Sequence, residues 1–325
     1  MAAILGVDIG NSKTVALLAG PDGALLGYGR GGCGDIYAAP LVAGRIVAAD
    51  VAIGAALAMA GLAPQQIVAS AFSAAGADWA EDIATIELAV RGYGPPPLVV
   101  NDALGALRAG APDGTGVAVV CGTGVGTGAR SAAGAQWHSS FWQIPQGGHA
   151  LGKLALEAVF RAELGAGPAT ALTARILGFH DLPTVEALLY RYNNRREAPP
   201  NPRHLARLLL DTAATGDGVA NAIVINHGAD LGRYALAAAR QVGIDGAPFW
   251  LVLAGGIFRH PAPHLADALI AQVRSEAPLV RPVRPRFEPA VGALLLGFER
   301  TGVTIDDALL GRLERELPPD ALFAT

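Results

Sequence analysis

Residues 4–14 read Ile-Leu-Gly-Val-Asp-Ile-Gly-Asn-Ser-Lys-Thr, and residues 15–19 continue with Val-Ala-Leu-Leu-Ala. Two apolar runs joined by a short polar turn with glycine are typical of a β-hairpin. Such a turn can direct backbone N–H groups at an anion, and Ser12, Lys13 and Thr14 add side-chain donors. An ordinary hairpin with a polar tip has the same pattern. The stretch therefore predicts a hairpin and leaves an anion site as an open interpretation.

Asp8 ends the first apolar run, at the mouth of the turn. Because Mg²⁺ prefers a few carboxylate contacts and keeps several of its waters, Asp8 is a candidate to hold Mg²⁺ through water. The turn matches neither the G-x-x-x-x-G-K-[ST] of a P-loop nor the G-x-G-x-x-G of a dinucleotide site. These two phosphate-binding motifs are excluded for this stretch.

The composition is that of a folded protein. The 325 residues are 52% hydrophobic and 16% charged, which excludes a disordered chain and is long enough for two domains. The formal net charge of -4 argues against nucleic acid as a main partner. Two cysteines, Cys33 and Cys121, are too few for a disulfide framework, so we expect a reducing compartment.

We also expect a cytoplasmic protein without a membrane segment. The N-terminus carries no basic region and reaches Asp8 too soon for a signal peptide. The longest apolar stretch, residues 51–63, is too short to span a bilayer and is interrupted by Gly54 and Gly61.

The pattern of strands and turns occurs twice. After the turn at 112–114, residues 116–121 form an apolar run, and a glycine-dense turn over 122–128 follows. This is the order found in residues 4–27, so an internal duplication is the economical explanation. We predict two like domains, 1–112 and 113–300, and a terminal helix within 301–325 that packs back near the interdomain region. Two facing domains would present both turns to one ligand.

Strands and helices alternate through the first half, as in α/β domains. Beyond the hairpin, the predicted strands are 67–72, 98–100, 116–121 and 249–253. The predicted helices are 40–59, 81–91, 103–109, 151–164, most of 168–240, 263–273, 289–299 and 306–317. The polar stretch 193–202 is predicted to be an exposed loop.

Three separated motifs resemble the actin/hexokinase/Hsp70 ATPase superfamily. Asp8-x-Gly10-x-x-Lys13-Thr14 resembles its first phosphate motif, Gly122-Thr123-Gly124 its second, and Ala254-Gly255-Gly256-Ile257 its adenosine motif. Further stretches resemble one branch, the N-acetylglucosamine kinase and BadF/BadG/BcrA/BcrD ATPase family. These stretches are 73–82, 101–103, 106–110 and 289–293. Each match is short, but together they follow the order of that family over nearly the whole chain.

The resemblance implies a fold, a reaction and cofactors. The fold is two ribonuclease-H-like α/β domains, each a mixed five-stranded sheet flanked by helices, with the nucleotide cleft between them. The reaction is ATP-dependent transfer of phosphate to a hydroxyl of a small sugar, an amino sugar above all, with Mg²⁺. The family resemblance also suggests a homodimer. The residues implied to hold the nucleotide are Asp8, Gly10, Asn11, Ser12, Lys13, Thr14, Gly122, Thr123, Gly124, Gly255 and Gly256.

Asp102 is the predicted general base. It lies where a buried strand ends and a helix begins, so its carboxylate can take or orient the proton of an attacking hydroxyl. Aspartate is also a favoured helix N-cap, which is the alternative for this position. The neighbouring Asn101 either contacts the substrate or satisfies the turn.

The acceptor site departs from the family pattern. Asp35 stands where related kinases carry asparagine, and 145–149, Pro-Gln-Gly-Gly-His, stands where they carry Gly-Asp-Glu-Gly-Ser. Gln146 can hydrogen-bond a hydroxyl but brings no charge. The substrate contacts that the resemblance implies are Asp35, Asn101, Gln146, Gly148 and His149. His149 is alternatively a structural histidine, and Trp137, Phe141 and Trp142 either stack on a sugar or belong to the core.

Two other functions remain open. An ATPase that drives electron transfer, as in the dehydratase activators of this superfamily, needs interface cysteines for an iron–sulfur cluster, and Cys33 and Cys121 both adjoin glycine. A degenerate kinase that binds sugar or nucleotide without turnover would explain the altered residues 146–149.

Overall fold

The structure is a computed structural model that describes residues 2–144 and 146–323. The strands are β1 Ala3–Ile9, β2 Thr14–Ala19, β3 Leu25–Gly31, β4 Ile67–Ala74, β5 Leu98–Asn101, β6 Gly116–Cys121, β7 Val125–Arg130, β8 Gln136–His138, β9 Trp250–Ala254 and β10 Arg281–Val283. The helices are α1 Val47–Ala60, α2 Ala80–Ala89, α3 Asp102–Gly110, α4 Gly148–Glu163, α5 Leu172–His180, α6 Val185–Asn193, α7 Leu205–Ala214, α8 Gly218–Gln241, α9 His264–Glu276, α10 Pro289–Glu299 and α11 Asp307–Glu316.

The first sheet has five strands in the order β3-β2-β1-β4-β5. The predicted hairpin is confirmed, since β1 and β2 pair antiparallel from Ile4 opposite Ala19 to Ile9 opposite Thr14. The strands β1, β4 and β5 run parallel to one another. This sheet is therefore mixed, with the hairpin added to one side of a parallel core.

Both faces of the first sheet are buried. Along β2, Val15 and Leu17 join one apolar cluster, and Ala16 and Leu18 join the other. Side chains alternate between faces along a strand, so a strand covered on both sides reads as an unbroken apolar run. Residues of α1 and α2 cover one face, and residues of α10 and α11 cover the other.

The second sheet also has five strands, in the order β10-β9-β6-β7-β8. In each half of the chain, the first strand lies at the centre with the second and third to one side and the fourth and fifth to the other. The two mixed sheets have the same strand order, each flanked by helices. The predicted fold class and the duplication of five strands are thereby confirmed.

By its contacts the chain divides into two compact units. The first comprises Met1–Ala118, Gly128–Ser140 and Val283–Thr325, and the second comprises Val119–Thr127 and Phe141–Pro282. The predicted boundaries at 112 and 300 follow the duplicated strands instead, and they stay a prediction. In the first unit, Leu309 and Leu313 of α11 pack in the cluster that contains Ile4 and Leu17.

One predicted helix begins later than expected. The alanine-rich stretch 40–59 is helical only from Val47, so the prediction for residues 40–46 is wrong. Ala43 and Gly44 have φ angles of 50° and 74°, and Val42 pairs with Arg45 in an isolated bridge. A tight turn with two left-handed residues cannot continue into a right-handed helix. The other predicted elements are present within a few residues of their ends.

A ladder of small residues brings α1 against β3. Alternate residues of the strand are glycine, and they face every fourth residue of the helix, which is alanine. The facing pairs are Gly27 with Ala56, Gly29 with Ala52, and Gly31 with Ala48. Two residues of a strand rise about 6.7 Å and four residues of a helix about 6.0 Å, so the two repeats nearly match. The helix backbone therefore lies directly on the strand.

Among residues 2–144 and 146–323, no single helix is long and apolar enough to cross a membrane. One pair, Pro202–Ala214 with Gly218–Gln241, meets the criterion of length and composition only when taken together, and it is bent by 113°.

We predict that Gly29→Ala destabilises the protein. A Cβ at this position would lie 2.1 Å from the carbonyl oxygen of Ala52, so α1 must move away from the sheet. Overpacking of this kind costs about 1–3 kcal/mol, which thermal or urea unfolding would detect. The matched control is Gly54→Ala, on the exposed side of α1 with open space around its Cβ. Helix propensity makes the control about as stable as the parent or up to about 1 kcal/mol more stable. Equal stabilities of the two variants would contradict the ladder.

Candidate functional site

The parallel strands of the first unit bring three polar segments to one edge of the sheet. In the register of β1 and β4, Asp8 lies opposite Ser73, and in that of β4 and β5, Ala74 lies opposite Asn101. The carboxyl ends of parallel strands share one edge, which is where ligands bind in open α/β sheets. Asp8, the segment after Ala74, and Asn101 with Asp102 therefore lie at the same edge.

Asn101, rather than Asp102, is the N-cap of α3. Its side-chain oxygen accepts a hydrogen bond of 3.1 Å from the backbone N–H of Ala103. Asp102 is the first residue of the helix, and its side chain is partly exposed. The alternative that Asp102 serves as the cap is wrong, because its neighbour already performs that function. The carboxylate of Asp102 thus remains available for chemistry.

The pKa values of Asp8 and Asp102 both lie well above the ordinary value for aspartate. Burial, together with the negative charges of Asp102 and Glu288 and against the opposing charge of Lys13, raises the pKa of Asp8 to about 7. Burial also raises the pKa of Asp102 to about 6, with a second contribution from the charge of Asp78. Shifted carboxyl groups of this kind cluster at functional sites, because desolvation is tolerated there for the sake of chemistry.

Asp78 belongs to this edge and was not predicted as a site residue. Its Oδ1 accepts hydrogen bonds from Asn101 Nδ2 at 3.0 Å and from the Ser140 hydroxyl at 2.8 Å. The Nδ1 of His138 lies 2.5 Å from the Oγ of Ser140. Because the Ser140 hydroxyl already donates its hydrogen to Asp78, Nδ1 of His138 is the donor in this second bond. The only signal in the sequence is the position of Asp78 within the quoted stretch 73–82.

Asp35 is buried in the turn that follows β3. Its Oδ1 accepts from the backbone N–H of Tyr37 at 2.9 Å, and a Cβ on Gly76 would lie 2.6 Å from that oxygen. The charge of Asp35 contributes to the raised pKa of both Asp78 and Asp102. The structure therefore brings Asp35, Asn101 and Asp102 together with Asp8.

The first polar turn is closed by its own backbone. Gly10 N–H donates to the Lys13 carbonyl at 2.9 Å, and Gly34 N–H donates to the Gly10 carbonyl at 3.1 Å. Thr14 is fully buried, and its hydroxyl donates to the carbonyl of Gly32, so that hydroxyl serves the fold. Lys13 donates to the carbonyl of Phe323. Asn11 and Ser12 are exposed at the tip of the turn.

The second glycine turn lies in the second unit, against the start of α4. Gly122 N–H donates to the Gly124 carbonyl at 2.9 Å, Gly148 N–H to Gly122 at 2.8 Å, and His149 N–H to Thr123 at 3.2 Å. A Cβ on Gly122 or Gly124 would meet nothing within 4 Å, and neither residue has a positive φ. The fold does not require glycine at these two positions, so close approach of a ligand is a reason for it.

The glycines after β9 differ from each other. Gly255 has a φ of 96°, and a Cβ there would lie 2.4 Å from the carbonyl oxygen of Cys121, so the fold itself requires this glycine. Gly256 has open space around its Cβ position and is exposed. The structure thus brings the glycines of 122–124, residues 146–149 and Gly255 together in the second unit.

The run over 146–149 is mostly committed to internal contacts. Gln146 is buried; its Oε1 accepts from Gln143 at 3.4 Å, and its carbonyl accepts from His227. His149 is exposed, with its Nδ1 3.3 Å from Oδ1 of Asn201. Pro145, named in the sequence motif, lies outside the described residues. The core alternative is wrong for Phe141 and Trp142, which are 61% and 74% exposed.

Within the described ranges, no group of three His, Cys, Asp or Glu residues is arranged to hold a metal ion. Mg²⁺ uses only one or two carboxylates of a protein and is otherwise bound by water and phosphate. Asp8 fits such a role, since a nearby cation would offset the repulsion that Asp102 and Glu288 exert on its charged form.

The model of the BadF/BadG/BcrA/BcrD ATPase family matches residues 5–297. Among solved structures, a candidate N-acetylglucosamine kinase of Chromobacterium violaceum is similar, with 26% identity over 91% of this chain and 99% of that chain and a TM-score of 0.69. A candidate N-acetylglucosamine kinase of Porphyromonas gingivalis has 18% identity over 92% and 99%, with a TM-score of 0.62.

A glucokinase of the ROK family from Streptomyces griseus, determined with glucose and AMPPNP, has the same fold. Its identity is 18%, it covers 92% of this chain and 100% of its own, and its TM-score is 0.56. The search of curated proteins found no match.

We predict that Asp102→Asn raises the stability of the protein at pH 8 and leaves it unchanged near pH 4. The pKa of Asp102 is raised from 3.8 to about 6, so the folded state binds this proton more tightly than the unfolded state. Stability is therefore lost as pH rises between about 4 and about 7. Removing the charge restores about 2–3 kcal/mol at pH 8, measurable by thermal unfolding.

The control for this prediction is Asp22→Asn. The backbone N–H of Ala24 lowers the pKa of Asp22, so its carboxylate stabilises the folded state above its pKa. The control should leave the protein equally or less stable at pH 8. A loss of stability in Asp102→Asn at pH 8 would contradict the desolvated carboxylate.

Proposed function

Because the chain belongs to the BadF/BadG/BcrA/BcrD ATPase family, we propose that it transfers phosphate from ATP to a hydroxyl of a small sugar. The observation that carries the proposal is Asp102, a carboxylate at a strand end whose pKa is raised to about 6. A general base works best when its pKa lies close to the working pH. Asp8 has a pKa of about 7 but lies beside Lys13 on the first phosphate turn, whereas Asp102 lies beside Asn101 at the start of α3, where we propose that the acceptor binds.

Phosphoryl transfer requires mainly positioning and neutralisation of charge. In the proposed mechanism, the turns over 10–14 and 122–124 offer backbone N–H groups to the phosphates of ATP. The open space at Gly122 and Gly124 allows phosphate oxygens to approach the backbone closely. Gly255 and Gly256 lie where the family motif places adenosine. That both turns bind the same nucleotide stays a prediction.

Asp102 takes or orients the proton of the attacking hydroxyl in this mechanism. The carboxylate becomes a better base because burial and the charge of Asp78 oppose its ionised form. Mg²⁺, held through water by Asp8, would supply positive charge beside the phosphates. Lys13 adds a second positive charge on the same turn, and this charge already lowers the pKa of Asp8.

For the acceptor we propose an amino sugar. The support is the similarity to the candidate N-acetylglucosamine kinase of Chromobacterium violaceum and the hydroxyl-binding groups Asp35 and Asn101 beside Asp102. Gln146, Gly148 and His149 remain predicted contacts, and the burial of Gln146 favours a supporting role for its side chain. A homodimer in the cytoplasm stays part of the same proposal.

The electron-transfer alternative finds little support in the cysteines. Cys121 is fully buried at the end of β6, and burial raises the pKa of its thiol to about 12. Cluster ligation requires thiolates, which this environment disfavours. The side chain instead packs as a small apolar group with its Sγ 3.8 Å from the carbonyl of Gln146.

The test of the proposed function is ADP release with a panel of sugars and amino sugars, each compared with a reaction that lacks acceptor. We expect release that depends on an amino sugar, with kcat/KM rising as the pH increases through about 6. Asp102→Asn should abolish transfer and leave ATP binding intact. Release without acceptor would instead support an ATPase, and binding of ATP without any release would support a degenerate kinase.

We predict that Gly124→Val weakens ATP binding by about tenfold or more without loss of stability. The structure has room for the new side chain, so only a ligand that approaches the turn is displaced. Gly246→Val is the matched control, since Gly246 is exposed and also has open space around its Cβ position. Calorimetric titration with ATP measures both variants. Unchanged affinity in Gly124→Val would show that the phosphates bind elsewhere.

A further inference from the structure

A short segment from another part of the second unit reaches the second glycine turn. Residues 201–204 precede α7, and Arg203 places an N–H of its guanidinium 3.2 Å from the hydroxyl oxygen of Thr123. Thr123 is the central residue of the turn over 122–124 and is exposed. The motif at 122–124 gives no hint of this contact, because the two residues lie far apart in the chain.

Backbone contacts with α4 hold residues 201–204 and so position the charged side chain of Arg203. A Cβ on Gly152 of α4 would lie 1.8 Å from the carbonyl oxygen of Pro202, so the helix and the segment are in close backbone contact. Oδ1 of Asn201 accepts from the backbone N–H of Arg203 at 3.1 Å and lies 3.3 Å from Nδ1 of His149. The backbone beneath Arg203 is therefore fixed to α4, the helix whose start adjoins the turn.

The guanidinium of Arg203 is only partly used by the protein. Nε donates to His204 at 3.3 Å, and one terminal nitrogen donates to Thr123. Within residues 2–144 and 146–323, no carboxylate pairs with Arg203, in contrast to Arg207 in the following helix α7, which lies 3.9 Å from Asp211. A planar cation with unused N–H donors beside an exposed glycine turn is suited to bind phosphate oxygens.

We propose that Arg203 binds the phosphates of the nucleotide at the 122–124 turn and stabilises the charge on them during transfer. The inference rests on the proposed function, in which that turn binds ATP. Thr123 acts as a positioning residue, since its hydroxyl holds the guanidinium at the turn before the nucleotide arrives. Backbone N–H groups of the turn and the side chain of Arg203 would then contact the same anion.

The hydrogen bond from Arg203 to Thr123 also allows a simpler role, in which Arg203 only stiffens the turn. The two roles differ in their dependence on charge and salt. Binding of phosphate depends on the positive charge and weakens as salt screens it, whereas stiffening of the turn needs only a donor to Thr123. Titration with ATP at low and at high salt, for variants with and without a charge at position 203, therefore separates the two roles.

The experiment is calorimetric titration of the full chain with Mg-ATP and with adenosine, together with thermal unfolding of each variant. We expect Arg203→Ala to lower the affinity for ATP by about tenfold or more at low salt, less at high salt, and to leave adenosine binding unchanged. Arg203→Lys, which keeps the charge but loses the planar fork, should recover part of the loss. Arg207→Ala is the matched control, an exposed arginine that should leave ATP affinity at the parent value.

The outcomes distinguish the inference from the function on which it rests. Parent protein that binds ATP, with Arg203→Ala binding it equally well, would overturn the inference and leave the proposed function standing. Parent protein that binds no ATP would overturn both. If Arg203→Ala lowers the unfolding temperature, Arg203→Gln provides the second measurement, because it keeps a donor to Thr123 and removes only the charge. Full ATP affinity in Arg203→Gln would contradict the phosphate role.

Discussion

Three parallel strand ends hold carboxylates at one edge of the first sheet, where water cannot solvate them fully. The strand register, which pairs Asp8 with Ser73 and Ala74 with Asn101, fixes the carboxylates at this edge. Each ionised carboxylate then raises the pKa of its neighbours, and the folded chain carries that unfavourable energy at neutral pH. Protonation or nearby positive charge relieves this energy, which makes the stability of this edge depend on pH.

Such an edge needs a rigid support, because the carboxylates repel one another and only packing opposes the separation of their strands. The support is close backbone packing on both faces of the first sheet. On one face, glycines of β3 admit α1, and on the other, a Cβ on Gly6 would lie 2.2 Å from the backbone of Leu294 in α10. Closely packed protein interiors transmit strain rather than absorb it. This packing opposes movement of the strands that carry the carboxylates.

Much of this structure was predictable, because its signals are local in sequence. The hairpin, its repetition at 116–130, and Asp102 at a strand end each need fewer than about twenty residues to recognise. Asp78 and Arg203 escaped prediction since their partners, Ser140 and Thr123, are distant in the chain. The alanine-rich composition of residues 40–59 favoured a helix over the whole stretch, and it gave no sign of the left-handed turn at Ala43 and Gly44. Contacts between distant segments depend on the fold, and only the structure reveals them.

The first unit is built from segments that precede and follow the second unit in the sequence. Val15 and Leu17 share a cluster with Phe298, Leu313 and Phe323, so that face of the hairpin has no cover until α10 and α11 have left the ribosome. At ~5–20 residues per second, the roughly 200 residues from Ala118 to Phe323 take on the order of 10–40 s to translate. During that interval the nascent chain presents an apolar sheet face, the kind of surface that chaperones bind. The apolar cluster on this face is therefore completed only after the second unit has been translated.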